Sequence, residues 1–313
     1  MKSETPEISV IIPVYNSQMH LKECLESLQR QSFSDFEVLI INNGSTDNSS
    51  KIAGEFSDSD SRFKLIEHNH GRQGEARNVG LDNASGNYIA FVDSDDTVLE
   101  HYLEKLYTAI TGNQADVAVC GYRLYYRKSK KVIQTHRLKN RIYDKKDAMK
   151  ELLRDRKMRF YLWNKLWKAS LFRDNDIHIP DMFYEDAVAC SQLYCHADKV
   201  VMIDYCGYNY IRASNKIFTE IEMDGTRIND YINTVPMIRS YLEGKGIYKD
   251  VKKPFFTHIC HVFLTVPLLS AQAHEDLDRN LLKNSVSGMG KVIRSCNAPP
   301  DELDSITEEI AVM

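Results

Sequence analysis

The chain has 313 residues, 43% of them hydrophobic and 27% charged, a composition that suits a soluble globular protein with a substantial core. Its formal net charge of −4 excludes a general pull toward nucleic acid or an anionic membrane, so any basic surface must be local, and the run from Arg123 to Arg141 is the candidate. Seven cysteines (Cys24, Cys120, Cys190, Cys195, Cys206, Cys260 and Cys296), an odd number without a CxxC, argue against a disulfide framework or a thiolate zinc site.

The polar start from Met1 to Glu7 runs straight into an apolar segment and does not read as a signal peptide. Ile8 to Val14 is a near-continuous apolar run of the kind that forms a strand covered on both faces. Leu21, Cys24, Leu25 and Leu28 follow at helical spacing, with Asn16 or Ser17 as the expected cap. Phe36 to Ile41 is a second buried strand, closed by Asn42-Asn43-Gly44-Ser45-Thr46-Asp47, where Thr46 or Asp47 is expected to cap the next helix. Phe63 to Glu67 reads as a third strand, Gln73 to Asp82 as a helix, and Tyr88 to Val92 as a fourth strand ending in Asp93-Ser94-Asp95-Asp96. Four β/α units in roughly the first hundred residues predict an open, mostly parallel sheet, which binds ligands at the carboxyl ends of its strands.

Leu99 to Ile110 reads as a helix with Asp96 as its cap, and Asp116 to Gly121 as a strand. Tyr122 to Tyr126 and Lys131 to Thr135 read as an antiparallel pair around a basic turn. Asp144 to Ile211 mixes short helices and strands. Beyond Glu220 the pattern is helical, broken at Gly244-Lys245-Gly246. The apolar stretch from Phe255 to Ala271, short for a membrane span and interrupted by His258 and His261, reads as a buried helix. A cytoplasmic, reducing location is expected, with peripheral contact at the inner face of a membrane left open.

Asp93-Ser94-Asp95 at a strand end is the principal chemical signal. A departing diphosphate accumulates charge, a divalent cation offsets it, and carboxylates are the cation's natural ligands. The same tripeptide at Asp58-Ser59-Asp60 has no strand before it and reads as a solvated turn. Glu185-Asp186 opens a helical segment, where acids favour the positive end of the helix dipole. Trp163 and Trp167, four apart, read as one face of a helix, serving either the core or a sugar platform.

These pieces together resemble family 2 glycosyltransferases of the GT-A fold. The resemblance rests on Ser9-Val10-Ile11-Ile12-Pro13-Val14-Tyr15-Asn16, Gly44-Ser45-Thr46-Asp47, Ala76-Arg77-Asn78-Val79-Gly80 and Phe91-Val92-Asp93-Ser94-Asp95-Asp96, in order across about residues 7 to 100. Trp163-Asn164-Lys165-Leu166-Trp167, Glu185-Asp186 and Tyr208-Asn209-Tyr210-Ile211-Arg212 extend it to about residue 215. It implies a catalytic domain over residues 1–215 and a C-terminal, mainly helical region over 216–313, on the acceptor side or used for oligomerisation.

The resemblance also implies roles. Pro13 and Tyr15 line the nucleotide pocket, with Tyr15 near the base or in the core. Asn42 and Asn43 stand where the family usually has two aspartates. They keep hydrogen-bonding capacity without charge, and uracil remains the expected base. Arg77 either approaches the nucleotide or pairs with Asp93 or another crevice acid. Asp95 is the expected Mn²⁺ or Mg²⁺ ligand, with Asp93 on the metal or the ribose. Asp186, beside Glu185, is the expected general base of an inverting transfer from a nucleotide-sugar, such as a hexosyl donor, to a glycan, lipid-linked or protein-linked acceptor. Lys165 and Arg212 are candidates for the diphosphate or the acceptor. The competing class is a non-catalytic nucleotide-sugar binding or scaffolding protein. A dinucleotide-dependent oxidoreductase is disfavoured because no GxGxxG follows the first strand.

Overall fold

The computed structural model describes residues 5–69, 71–129, 131–212 and 225–273. In chain order these form β1 (Ile8–Val14), α1 (Leu21–Gln29), β2 (Phe36–Asn43), α2 (Ser49–Ser59), β3 (Phe63–His68), α3 (Gln73–Asn83), β4 (Tyr88–Phe91), β5 (Thr97–Val98), α4 (Tyr102–Gly112) and β6 (Val117–Tyr126). There follow β7 (Lys131–His136), β8 (Arg141–Asp144), α5 (Lys145–Leu153), β9 (Lys165–Lys168), α6 (Ser170–Arg173), α7 (Glu185–His196), β10 (Lys199–Arg212), α8 (Gly225–Gly244) and α9 (Tyr248–Ala273).

One sheet runs in the order β3-β2-β1-β4-β9-β6-β10-β5, with β7 on β6 and β8 on β10. The β3-β2-β1-β4 half is parallel throughout, joined by α1, α2 and α3. β9 enters antiparallel between β4 and β6, and β6 and β10 are again parallel. The near-continuous apolar runs follow from cover on both faces. Ile11, Leu39, Ile41, Ile89 and Phe91 pack with α3, α5 and α7 on one side. Val10, Ile12, Val38, Ile40 and Ala90 pack with α1 and α4 on the other.

Several expectations change. α1 starts one turn later than expected, with His20 at its cap and no side-chain cap bond. Asp47 lies just before the cap of α2, yet its Oδ1 accepts from the Ser49 N–H at 2.9 Å, so it does serve that helix start. Asp58-Ser59-Asp60 is the end of α2 rather than a turn, with Asp60 paired to Arg62 at 2.7 Å. Trp163 and Trp167 are not on a helix. Trp167 lies in β9 among α7 residues, while Trp163 precedes that strand and packs in the opposite core, stacked on Tyr208 with 4.2 Å between ring centroids. Both are core residues, 3% and 0% exposed.

The C-terminal helices are continuous with the first core. Val235, Ile238, Leu242, Val251, Phe255 and Ile259 join the cluster built on α5 and α7. The expected boundary at residue 215 and its flanking Ala213-Ser214-Asn215 lie outside the described residues. Among the described residues no helix is long and apolar enough to cross a membrane. Cys24, Cys120, Cys190, Cys195, Cys206 and Cys260 are free thiols.

Gly80 sets the distance between α3 and β1. A Cβ there would meet Ile11 Cγ2 at 2.3 Å, and one at Gly74 would meet the Pro180 carbonyl at 2.5 Å. The helix carrying Arg77 is thus seated against the sheet by two missing side chains. Gly80→Ala is expected to lower stability by about 1–3 kcal/mol through overpacking. Urea unfolding measures this directly, with Tm falling several degrees.

Candidate active site

The crevice opens where β4 parts from β1. β4 pairs with β1 only as far as Ile11↔Phe91, and the last bond runs from the Val92 N–H to the Ile11 carbonyl at 3.1 Å. Two residues on, Pro13 has no N–H to offer that side. β1 continues beside β2 to Val14↔Asn42, while the chain after β4 turns away as Asp93 to Asp96. Sequence-distant polar groups therefore collect at the carboxyl ends of the parallel strands.

The acidic turn is fixed from β10. The Asp93 N–H donates to Tyr208 Oη at 3.1 Å, and the Tyr208 hydroxyl donates to Asp96 Oδ2 at 2.8 Å. The Ile211 N–H donates to Asp96 Oδ1 at 2.7 Å. Asp96 is completely buried and is not a helix cap, because β5 intervenes and α4 begins only at Tyr102. Burial first, then the charges of Asp95 and Asp93, push its pKa well up. Arg127 Nη2 donates to the Asp95 carbonyl at 2.7 Å. The Asp95 side chain remains accessible, but loss of water around the carboxyl and the neighbouring Asp93 raise it to about 6.

Arg77, 2% exposed, joins this turn to α7. Its Nη2 donates to Asp93 Oδ1 at 3.0 Å, and its Nη1 donates to Glu185 Oε1 at 2.5 Å and Asp186 Oδ1 at 3.1 Å. Burial opposes the guanidinium charge, but Asp186, Asp93 and Glu185 outweigh it and raise the pKa above its ordinary value. Asp186 Oδ2 accepts from the Leu162 N–H at 3.2 Å. Burial raises the Asp186 pKa against the pull of Arg77, and Glu185 and Asp93 add to the rise.

α7 starts abruptly because Tyr184 takes a left-handed conformation with φ of 62°. The loop before it is clamped. The Phe183 N–H donates to Asp230 Oδ2 at 2.9 Å, and the same oxygen accepts from Arg72 Nη1 at 3.0 Å. The Phe183 ring lies between the guanidinium groups of Arg72 and Arg227, at 4.8 and 4.7 Å. α8 thereby reaches the residues that aim the acids.

Other expected residues divide. Pro13 is buried within β1, and Tyr15 is 48% exposed at its end, so Tyr15 is not a core aromatic. Asn42 and Asn43 are 3% and 4% exposed. Asn42 Nδ2 donates to Glu67 Oε2 at 2.6 Å, and Asn43 exchanges bonds with the Gly71 backbone at 2.6 and 3.0 Å. Both amides are engaged beneath the crevice floor.

Lys165 is not at the crevice surface. It is fully buried, and its ammonium donates to the Arg159 and Tyr161 carbonyls and to Asn164 Oδ1 at 2.8, 2.5 and 2.8 Å. With all three protons used, it organises the loop leading to Leu162 instead of offering charge to a ligand. Arg212, at the end of β10, has its guanidinium 5.5 Å from the Tyr210 ring centroid.

Residues missed from sequence include Gln73, which donates to Asp93 Oδ1 at 3.1 Å, and Tyr208, Glu67 and Asp230. Gln73 at a helix start after a Gly-rich loop was a visible signal. Asp230 carried none.

Among the described residues no group of three or more His, Cys, Asp or Glu could hold a metal ion. Asp95 nevertheless has a pKa raised by burial and then by Asp93, which lies two residues away. One or two carboxylates, completed by diphosphate oxygens and water, suit Mg²⁺ or Mn²⁺, so the donor set fits.

The family model described as Glycosyl transferase family 2 matches residues 9–173. The chain is 36% identical over 212 residues to the glycosyltransferase GlyA of Streptococcus pneumoniae serotype 4, a match covering 65% of this chain but only 30% of GlyA. It is 30% identical to the uncharacterized glycosyltransferase EpsJ of Bacillus subtilis strain 168, over 89% of this chain and 82% of EpsJ. The solved structure of residues 1–349 of Staphylococcus aureus TarS in complex with UDP-GlcNAc superposes with a TM-score of 0.67 at 21% identity, covering 90% of this chain and 81% of that one. TarS is named a poly(ribitol-phosphate) beta-N-acetylglucosaminyltransferase.

Removing Arg77 would leave three carboxylates facing one another. Arg77→Ala is expected to cost about 3–5 kcal/mol near neutral pH. Without the cation the Asp186 carboxyl, already raised by burial, rises further, so the cost is full above its folded-state pKa and diminishes as pH falls from that value toward the unfolded one. Urea unfolding at about pH 8 and about pH 5 should therefore show the gap to wild type narrowing on the acid side.

Proposed function

The chain belongs to glycosyl transferase family 2, and on that premise we propose that it is an inverting enzyme that moves a monosaccharide from a nucleoside diphosphate sugar to an acceptor hydroxyl, with Asp186 as general base. The observation that carries this reading is Arg77. It holds Asp93, from the turn suited to the diphosphate, and Glu185 and Asp186, from the α7 start, on one guanidinium. Donor-side and acceptor-side acids are thus within one side chain's width.

In this reading the nucleotide lies over the ends of β1 and β2, beside Tyr15. The UDP-sugar in the TarS complex supports a uridine donor. The family's missing acidic charge at Asn42 and Asn43 is replaced from the next strand, since Glu67 is exposed and its carboxylate is oriented by Asn42 and by Ser50 at 2.5 Å. Asp95, with Asp93, would hold Mn²⁺ or Mg²⁺, which would offset the charge of the departing diphosphate. Tyr208 keeps the Asp93 backbone in place while that charge develops.

Asp186 takes the acceptor proton as the oxygen attacks the anomeric carbon opposite the diphosphate, which inverts the centre in one displacement. Its raised pKa makes it a better proton acceptor than an ordinary carboxylate while leaving it largely ionised in alkaline solution. Glu185, less exposed and bound to Arg77, sets the position of that guanidinium. The acceptor class supported by the TarS name is a hydroxyl of a polymer such as poly(ribitol-phosphate), consistent with a role in polysaccharide biosynthesis.

Single-turnover transfer beside donor affinity tests the base. Asp186→Asn should reduce transfer by about 10²-fold or more with donor binding little changed, and Glu185→Gln should do less harm to the chemical step. The acid limb of the wild-type rate should lie above the ordinary carboxylate range of about 4, because the ionised form is lost as pH falls through a raised pKa. Normal transfer by both variants would remove Asp186 from this role.

The metal reading has its own measurement. Mn²⁺-dependent donor binding, followed by calorimetry, should weaken as pH falls through about 6, where the proton competes for Asp95. Asp95→Asn should abolish the Mn²⁺ dependence. Full turnover in excess chelator would overturn the assignment.

A further inference from the structure

The β6–β7 hairpin and its sequel carry a charge pattern that the transferase reading does not use. From Val117 to Tyr143 the sequence contains no Asp or Glu, yet it holds Arg123, Arg127, Lys128, Lys130, Lys131, Arg137, Lys139 and Arg141. The chain as a whole is net negative, so its acidic excess lies entirely elsewhere. Among the described residues none of these basic side chains forms an ion pair.

The same hairpin exposes apolar surface. Among the described residues β7 is paired on one edge only, to β6, and Lys131 through Thr135 are all exposed. Val132 and Ile133 are 44% and 53% exposed, and Tyr125 and Tyr126 on the partner strand are half-buried. An unpaired edge with exposed β-branched residues is an aggregation hazard unless charge guards it or something covers it. Lysines give the guard. They do not account for the adjacent apolar pair, which a purely electrostatic surface would not need.

We propose that this hairpin docks on an anionic phospholipid surface, with Val132 and Ile133 entering the headgroup boundary and the surrounding lysines and arginines meeting the lipid phosphates. Basic side chains beside aliphatic and tyrosine residues are the combination that such an interface selects. The hairpin begins at the crevice: Arg127, at the end of β6, reaches the Asp95 carbonyl and His20 Nδ1 at 2.7 and 2.6 Å. Docking by the tip would bring the mouth of the site to the bilayer, where a lipid-linked acceptor would be presented. The binding event itself does not depend on the transferase reading.

The test is co-sedimentation of the full chain with phosphatidylcholine vesicles with and without phosphatidylglycerol. Binding is expected only with the anionic lipid and should weaken in high salt. Lys128→Glu with Lys131→Glu should weaken it on the order of 30-fold or more, from about 1 kcal/mol per basic residue near the surface. Val132→Ser with Ile133→Ser should also weaken it, and Tm and nucleotide affinity measured beside it should stay at wild-type values for both pairs. Equal binding to neutral vesicles, or none to either, overturns the proposal. So does capture of soluble polyphosphate that the lysine pair abolishes and the apolar pair leaves intact, since that would assign the hairpin to a polyanion instead of a bilayer.

Discussion

The site depends on one buried cation shared among acids from two distant parts of the chain. Arg77 is surrounded by Asp93, Glu185 and Asp186, and a guanidinium is suited to this because its fork offers several donors and cannot lose its charge. One positive charge does not neutralise three negative ones. Burial raises the pKa of Asp186 and of Asp95, and the neighbouring acids add to the rise, Glu185 and Asp93 at Asp186 and Asp93 at Asp95. Such a site is held together and short of cations at once, the condition in which a metal and a cationic transition state are favoured over an empty crevice.

Much of the rest of the architecture bears on where Arg77 stands. Gly80 and Gly74 let α3 lie close to β1 and to Pro180. Pro13 leaves β4 free to diverge, so that the turn carrying Asp93 faces α3. The left-handed Tyr184 starts α7 with Glu185 and Asp186 at its first positions, and Lys165 spends its charge on the loop that presents the Leu162 N–H to Asp186. A shift in any of these residues moves an acid.

The parallel half of the fold was legible in the sequence because each of its strands is a short apolar run with a polar cluster at its end. Ile8 to Val14 and Phe63 to His68 match within a residue, and Asp93, Asp95, Arg77, Glu185 and Asp186 do converge. The other half was less legible. β9 is only four residues long and inserts antiparallel between strands from both halves, so Trp163 and Trp167 carry a helical spacing without a helix. Lys165 read as a ligand contact because sequence does not report burial. Asp96 read as a cap because the two residues of β5 have no periodicity, and the bond from Tyr208 spans more than a hundred residues. Asn42 and Asn43 were seen as a missing charge. That Glu67 stands beside Asn42 and accepts its hydrogen bond is a matter of register, Asn42↔Glu67, which no local pattern reveals.

The Asp230 clamp constrains how such a chain can be recombined. Helix α8 lies in the C-terminal region that the family resemblance sets apart from the catalytic domain, yet its Asp230 carboxylate fixes Phe183 and Arg72 and so the start of α7. A graft that exchanges the C-terminal helices for those of another protein keeps the parallel half of the sheet intact. Unless the incoming helix brings an acid at the same place, it delivers a loop with nothing to close it. Changes confined to faces of α8 that leave this one contact alone would spare the start of α7, and a hybrid joined ahead of α8 would lose the clamp on Phe183 and Arg72.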